Sequence, residues 1–125
     1  MNRYTPHDIT ELAADEVFVF GSNASGHHGG GAARVAWQEF GAVWGEGHGL
    51  HGRTYAIDTM SGPAAFAVDA AAFVSFAEQH PELTFLLTPV GCGIAGYAPD
   101  EVAPMFATVP PNVVLPEVFA RLLEG

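Results

Sequence analysis

Apolar residues along this chain fall into short runs that alternate with helically spaced segments. Residues 16–20, EVFVF, form an apolar run ending on glycine, the look of a buried strand. GAARVAWQEFG (31–41) places Val35, Trp37 and Phe40 at loosely helical intervals and closes on a glycine suited to a C-cap. RTYAID (53–58) is β-branched and aromatic, a second strand, whereas GAVWGEGHGLHG (41–52) carries too many glycines for either regular element. In VDAAAFVSFAEQH, Phe73, Phe76 and Ala77 share a stripe, with Asp69 read as the N-cap and Pro81 as the stop. LTFLLTPV (83–90) is apolar throughout, as a central parallel strand is. A glycine loop then runs into a helix opened by Pro99, Asp100 and Glu101, followed by a last strand, NVVLP (112–116), and a last helix, EVFARLLE.

Strands alternating with helices, with apolar residues on both strand faces, predict an α/β domain whose mainly parallel sheet is covered on both sides. The 125 residues suffice for one such domain with a real core, and neither a repeat nor a composition shift marks a second. About half of the residues are apolar, which argues against disorder, and no apolar run reaches the length of a membrane span. The first residues, MNRYTPHDITEL, lack the apolar core of a signal peptide, and the single cysteine, Cys92, excludes an internal disulfide; both predict a cytoplasmic protein.

Charge narrows the function. A formal net charge of −10, with four Arg and no Lys, argues against binding to a nucleic-acid backbone, which is driven by phosphate neutralisation. Any anionic ligand has to be held by local groups against the overall field.

Two glycine-rich loops offer such groups. GSNASGHHGGGAA (21–33) leaves the first strand and feeds a helix, and GCGIAGY (91–97) occupies the same strand-to-helix position later in the chain. Ligands of open α/β sheets bind outside the carboxyl ends of the strands, where helix N-termini present unpaired N–H groups suited to phosphate. Glycine permits positive φ and removes the Cβ that would keep a diphosphate away from the amides. Either loop alone reads as a tight connection, and neither is a Walker sequence, which needs a lysine. Two in equivalent positions predict a nucleotide or sugar-phosphate site.

HDITEL (7–12), a strand, SNASGHHGGGAA, and then GCGIAGY before a helix together resemble a macrodomain, the α/β module that binds ADP-ribose. VFVFGSN and GCGIAGYAPDE look closer to a small macro-like family of phages and prophages, and the Gly-Cys-Gly element is similar to that of terminal ADP-ribose protein glycohydrolases. The resemblance runs from about Tyr4 to Pro116 and implies a three-layer α/β/α fold with ADP-ribose as ligand, no cofactor and no metal. It places Asp8 and Ile9 at the adenine, with Asp8 accepting from the exocyclic amine; an N-cap or Asx-turn is the other reading of Asp8. Gly91, Cys92, Gly93, Ile94, Ala95, Gly96 and Tyr97 would wrap the diphosphate, with Tyr97 beside the phosphates or distal ribose, or else packed on the core. Gly21, Ser22 and Asn23 would lie at the strand end, Asn23 facing the distal ribose, with Gly29, Gly30, Gly31 and Ala32 beneath it.

The same resemblance leaves catalysis open. The acid that macrodomain hydrolases often carry after the first glycine run is replaced by alanine in GGGAARVA. The glycohydrolase branch uses a lysine nucleophile where this chain has Met60, and an aspartate where it has Ala95. Asn23 and Asp58 remain as catalytic candidates, with His27, His28, His48 and His51 as possible bases. GHGLHG is too glycine-rich to be a helix that presents His48 and His51 to a metal together. Cys92, at a helix-opening loop, reads as a nucleophile or as a small buried residue. A hydrolase is thus one alternative to a binder. The other is an interaction module with a vestigial cleft, which exposure of Trp37, Trp44 or Phe66 would support.

Overall fold

The computed structural model describes residues 3–27 and 30–124; the readings at His28 and Gly29 fall outside them. The described residues form five strands and four helices: β1 (Glu16–Ser22), α1 (Gly31–Glu39), β2 (Gly49–His51), β3 (Thr54–Asp58), α2 (Pro63–Gln79), β4 (Thr84–Leu87), α3 (Pro99–Val102), β5 (Val113–Val114) and α4 (Glu117–Glu124), with a 3-10 turn, Ala103–Phe106, after α3. The sheet order is β2-β3-β1-β4-β5. β1 pairs in parallel with β3 and β4, β4 pairs in parallel with β5, and only β2 runs antiparallel, against β3. The chain is therefore an α/β domain on a mixed, mainly parallel sheet.

Alternation along β1 divides the core. Val17 and Val19 join Tyr55, Ile57, Phe85 and Leu87 with Phe66, Phe73 and Ala77 of α2, Phe106 of the 3-10 turn and Phe119 of α4. Phe18 and Phe20 point the other way, into a smaller cluster with Ala56, Ala33 and Ala36 of α1, Phe40 and Ala42. Successive strand residues face opposite sides, so a central strand apolar at every position has to be covered on both.

Three expectations need correction. Helix α2 starts at Pro63 behind Gly62, so Asp69 is an interior residue and not the N-cap; its Oδ2 accepts the Asp58 N–H at 2.7 Å. Its carboxylate ties the helix to the end of β3. Residues 49–51 of the glycine-rich segment form an edge strand, because β3 supplies pairing partners that local propensity cannot anticipate. The last strand contracts to Val113–Val114.

Asn112, just before β5, closes the carboxyl end of α2: its Nδ2 donates to the carbonyls of Ala77, His80 and Leu83, each at 3.0 Å. Ala77 and His80 lie at the helix end and Leu83 in the turn that follows it; the Ala77 and His80 carbonyls also accept the His80 and Leu83 N–H groups, so the amide reinforces a turn that the backbone already closes. Asn112→Ala is expected to cost about 1–3 kcal/mol of unfolding free energy. Urea denaturation checks this, and a loss under about 0.5 kcal/mol, the level of an ordinary surface change, would show that water replaces the amide at no cost.

Candidate functional site

The topology creates a crevice at the carboxyl ends of β1 and β4. These strands are adjacent and parallel, yet β1 connects towards β3 through α1 and β4 connects outward to β5 through α3. The connections leave in opposite directions and on opposite faces of the sheet, since α1 belongs to one core cluster and the 3-10 turn after α3 to the other. Such a reversal point is where open α/β sheets form ligand sites.

Two cavities occupy the crevice. The smaller, about 300 Å³, is lined by Gly21, Ser22, Asn23, His27 and Gly30–Ala33 from the first glycine loop and α1, by Gly91 and Gly93–Ala95 from the second loop, and by Thr59, Met60 and Thr88–Val90. The larger, about 860 Å³, includes Asp8, Ile9, Phe18, Val35, Glu39 and Arg121. Both are bordered by Ala32, Thr88 and Pro89, so they abut as one cleft. Of the sequence-derived site residues, Gly21, Ser22, Asn23, Gly30, Gly31, Ala32, Gly91, Gly93, Ile94 and Ala95 meet at the small cavity, and Asp8 and Ile9 at the large one. Cys92, Gly96 and Tyr97 line neither.

The small cavity is built from backbone. In the second loop, the N–H groups of Cys92, Gly96 and Tyr97 donate to Pro89, Gly93 and Gly91 carbonyls, which folds the loop back on itself. The N–H groups of Gly91, Gly93, Ile94 and Ala95 reach no acceptor among the described residues. Opposite them, α1 begins behind Gly30 with φ +57° at Gly31, and its first intrahelical bond is Arg34 N–H to the Gly30 carbonyl. The first-turn N–H groups of Gly31, Ala32 and Ala33 therefore have no intrahelical acceptor and carry the positive end of the dipole. The two loops are close: a methyl group on Gly30 would lie 3.8 Å from Ile94 Cδ1, and one on Gly21 3.4 Å from the Gly91 nitrogen. Unpaired amides from two directions suit a polyanion that spans them.

Side-chain charge is nearly absent there. Among the described lining residues the small cavity has no carboxylate, no Arg, and one titratable group, His27. Arg121, the one arginine that lines either cavity, sits in the large one and is paired with Glu117 at 2.5 Å. Asp8 is exposed, and its carboxylate has no hydrogen-bond partner among the described residues, so neither an N-cap nor an Asx-turn occupies it. It is available to a donor in the large cavity.

Asn23 is committed to its own loop. Its Oδ1 accepts from Ser25 Oγ at 2.8 Å and the His27 N–H at 3.0 Å, and its Nδ2 donates to the His27 carbonyl at 3.1 Å. It shapes the loop while lining the small cavity, and one of its two Nδ2 hydrogens is not used in these bonds. Segment 43–47 packs behind: Gly45 N–H donates to the Gly26 carbonyl, and a Cβ on Gly47 would fall 1.7 Å from the Asn23 carbonyl oxygen. The glycine-rich segment that follows α1 thus supports the first loop from outside the cleft.

The other catalytic candidates are likewise engaged elsewhere. Asp58 caps its own turn, accepting from the Met60 N–H at 3.0 Å and Ser61 Oγ at 2.5 Å, and lines neither cavity. The Cys92 thiol is half-buried against the larger core cluster, and burial, with Glu101 nearby, pushes its pKa up. A raised pKa keeps it protonated, the reverse of an activated nucleophile. Tyr97 packs its ring on Phe66 at 5.3 Å. His51 contacts the His48 carbonyl, and no three His, Cys, Asp or Glu side chains among the described residues cluster as a metal site.

Thr59, Thr88 and Pro89 were not foreseen. Thr59 Oγ1 donates to the Ser22 carbonyl at 3.1 Å and Thr88 Oγ1 to the Val19 carbonyl at 2.7 Å, which pins both neighbouring strands to β1 at the crevice. Their place directly after strands was the available signal. No protein-family model matches the chain, nor does any curated protein or solved structure.

Proposed function

We propose that the protein binds ADP-ribose, or a related nucleotide derived from NAD, across this crevice. The observation that carries the reading is the pair of facing amide arrays, four groups from the second glycine loop and three from the first turn of α1, at the reversal point of the sheet. They supply anion affinity without cationic side chains, which a chain of net charge −10 without lysine requires. The diphosphate occupies the small cavity and the adenosine the large one, its exocyclic amine donating to Asp8 and its ring against Ile9. Core clusters on both sides of β1 agree with the three-layer arrangement of a macrodomain. A single cysteine and the lack, among the described residues, of a helix long and apolar enough to cross a membrane agree with a cytoplasmic setting.

Binding is favoured over hydrolysis by the absence of a carboxylate among the described residues that line the small cavity and by the commitments of Asn23 and Asp58. The interaction-module alternative draws support from Trp37 and Trp44, which are 41% and 47% exposed while packing on each other at 4.9 Å, and none from Phe66, which is fully buried.

Calorimetric titration tests the reading, with AMP, NAD and ribose 5-phosphate as comparisons. Micromolar ADP-ribose binding, about −8 kcal/mol, is expected. Gly93→Val is the discriminating variant: Gly93 does not have positive φ, and a Cβ there meets nothing within 4 Å. The branched side chain fills the space beside the amides without straining the fold. Affinity is expected to fall at least about 30-fold, or roughly 2 kcal/mol, with an unchanged thermal midpoint. No binding at millimolar ADP-ribose, or full affinity in Gly93→Val, would overturn the proposal.

A further inference from the structure

We propose that His27 makes ligand affinity proton-dependent, its imidazolium acting as the site's side-chain counter-charge to the diphosphate; this rests on the reading of the small cavity given above. His27 is the one titratable side chain among the described residues lining that cavity, and the loop is built to hold it there. The Asn23 carboxamide brackets its peptide, accepting from its N–H and donating to its carbonyl. Gly26 before it has φ +68°, and a Cβ there would lie 2.3 Å from the Glu46 nitrogen, so the turn is fixed against the segment that follows α1. The ring stacks on Trp44 at 5.4 Å and 23°, and Trp44 contacts Trp37.

The charged surroundings are few. The supporting segment contributes Glu46, α1 contributes Arg34 and Glu39, and the second glycine loop contributes none. Asp58, after β3, has its carboxylate held by Met60 and Ser61. Histidine changes charge between pH 5 and 8, whereas both phosphates of ADP-ribose keep their single negative charges across that range. The protonated ring favours the anion, so binding takes up protons and affinity rises as pH falls.

The test is ADP-ribose titration at about pH 8 and about pH 5.5, bracketing the histidine range, with thermal midpoints confirming a folded protein at both. Binding is expected to tighten about three- to five-fold at the lower pH, the scale of an exposed ion pair. His27→Gln is expected to bind with one weak affinity at both values, and His27→Lys, which keeps its charge, to bind tightly at both. In a Trp37→Phe background, Trp44 fluorescence is expected to titrate without ligand, and that titration to vanish with His27→Gln. AMP is a poor probe, because its own phosphate titrates near about 6. A slope that persists in His27→Gln, or that disappears in His28→Gln or His7→Gln instead, would overturn this inference. ADP-ribose binding without a slope would also overturn it and leave the binding function standing; no binding at either pH would remove both.

Discussion

Phe73→Ala is expected to lower the unfolding free energy by about 3–5 kcal/mol, the largest effect of any single truncation in this chain. Phe73 is fully buried in α2. Its ring meets Tyr55 of β3 at 5.1 Å, Phe85 of β4 at 5.5 Å and Phe106 of the 3-10 turn at 6.3 Å, the last two edge-on. One side chain thus joins the helix to two strands and to the segment that follows the second glycine loop. Removing it costs the transfer of the ring and leaves a cavity whose walls are other aromatic rings, too rigid to collapse into the space. The same closeness of packing buries the Tyr55 hydroxyl beside Asp69, and burial pushes its pKa up to about 12.

Urea denaturation followed by tryptophan fluorescence measures the loss. Both tryptophans, Trp37 and Trp44, lie in α1 and the segment after it, on the side of the smaller core cluster. A midpoint shift there at constant m-value reports that a cavity in one cluster destabilises the other, as two-state unfolding of a single domain requires. A loss below about 1.5 kcal/mol, less than core truncations normally show, would mean that the aromatic cluster repacks and does not act as a rigid hub. A normal midpoint with a lowered m-value would mean that the two sides of the sheet unfold separately.

The parts legible in the sequence are those governed by local pattern. Strands β1, β3 and β4 announce themselves as apolar runs because each is buried on both faces. The expected start of helix α2, behind Asp69, falls seven residues after the observed start behind Gly62. The helix is apolar nearly all round, with Val68 exposed on its outer side, so its periodicity does not mark a beginning, and Asp69 has the right residue type for a cap while serving a tertiary contact. The glycine loops were identified by composition and position, and the structure brings them together. What each side chain in them does was not legible, because it depends on partners distant in sequence. Asn23 has a second task that its sequence position does not show: its carboxamide holds together the loop that segment 43–47 supports. Asp58 looks like an acid in a cleft until its own turn claims both oxygens. Asp8 and Ile9 line the large cavity. Thr59 and Thr88 offer only their place after a strand as a signal, and what they do there depends on carbonyls of β1 distant in sequence.

Gly91→Ala is expected to cost about 2–5 kcal/mol of stability and to abolish ADP-ribose binding, the sum of two separable penalties. Gly91 has φ +79°, where a side chain adds roughly 1–2 kcal/mol of strain. The added Cβ would also sit 2.5 Å from Phe66 Cε2, 2.9 Å from Phe66 Cζ and 3.3 Å from Tyr97 Cδ2. Phe66 is fully buried and cannot swing into solvent, so relief has to come from the loop, and the loop carries the amides. Moving it outward separates the N–H groups of Gly91, Gly93, Ile94 and Ala95 from those at the start of α1, and a diphosphate can no longer engage both arrays. The companion variant is Gly91→Ala with Phe66→Leu, which removes the steric penalty and leaves the conformational one. It is expected to be more stable than the sum of the two single losses predicts, the mark of residues in contact. Denaturant unfolding measures the energies and ADP-ribose titration measures the site, each under conditions where the variant is folded. If Gly91→Ala is as stable as the parent, the close approach to Phe66 is not real. If it is destabilised yet binds ADP-ribose normally, the second loop is not the anion site. Gly93→Val, two residues on and free of both penalties, separates these cases: there the fold is untouched, and only the space in front of the amides is lost.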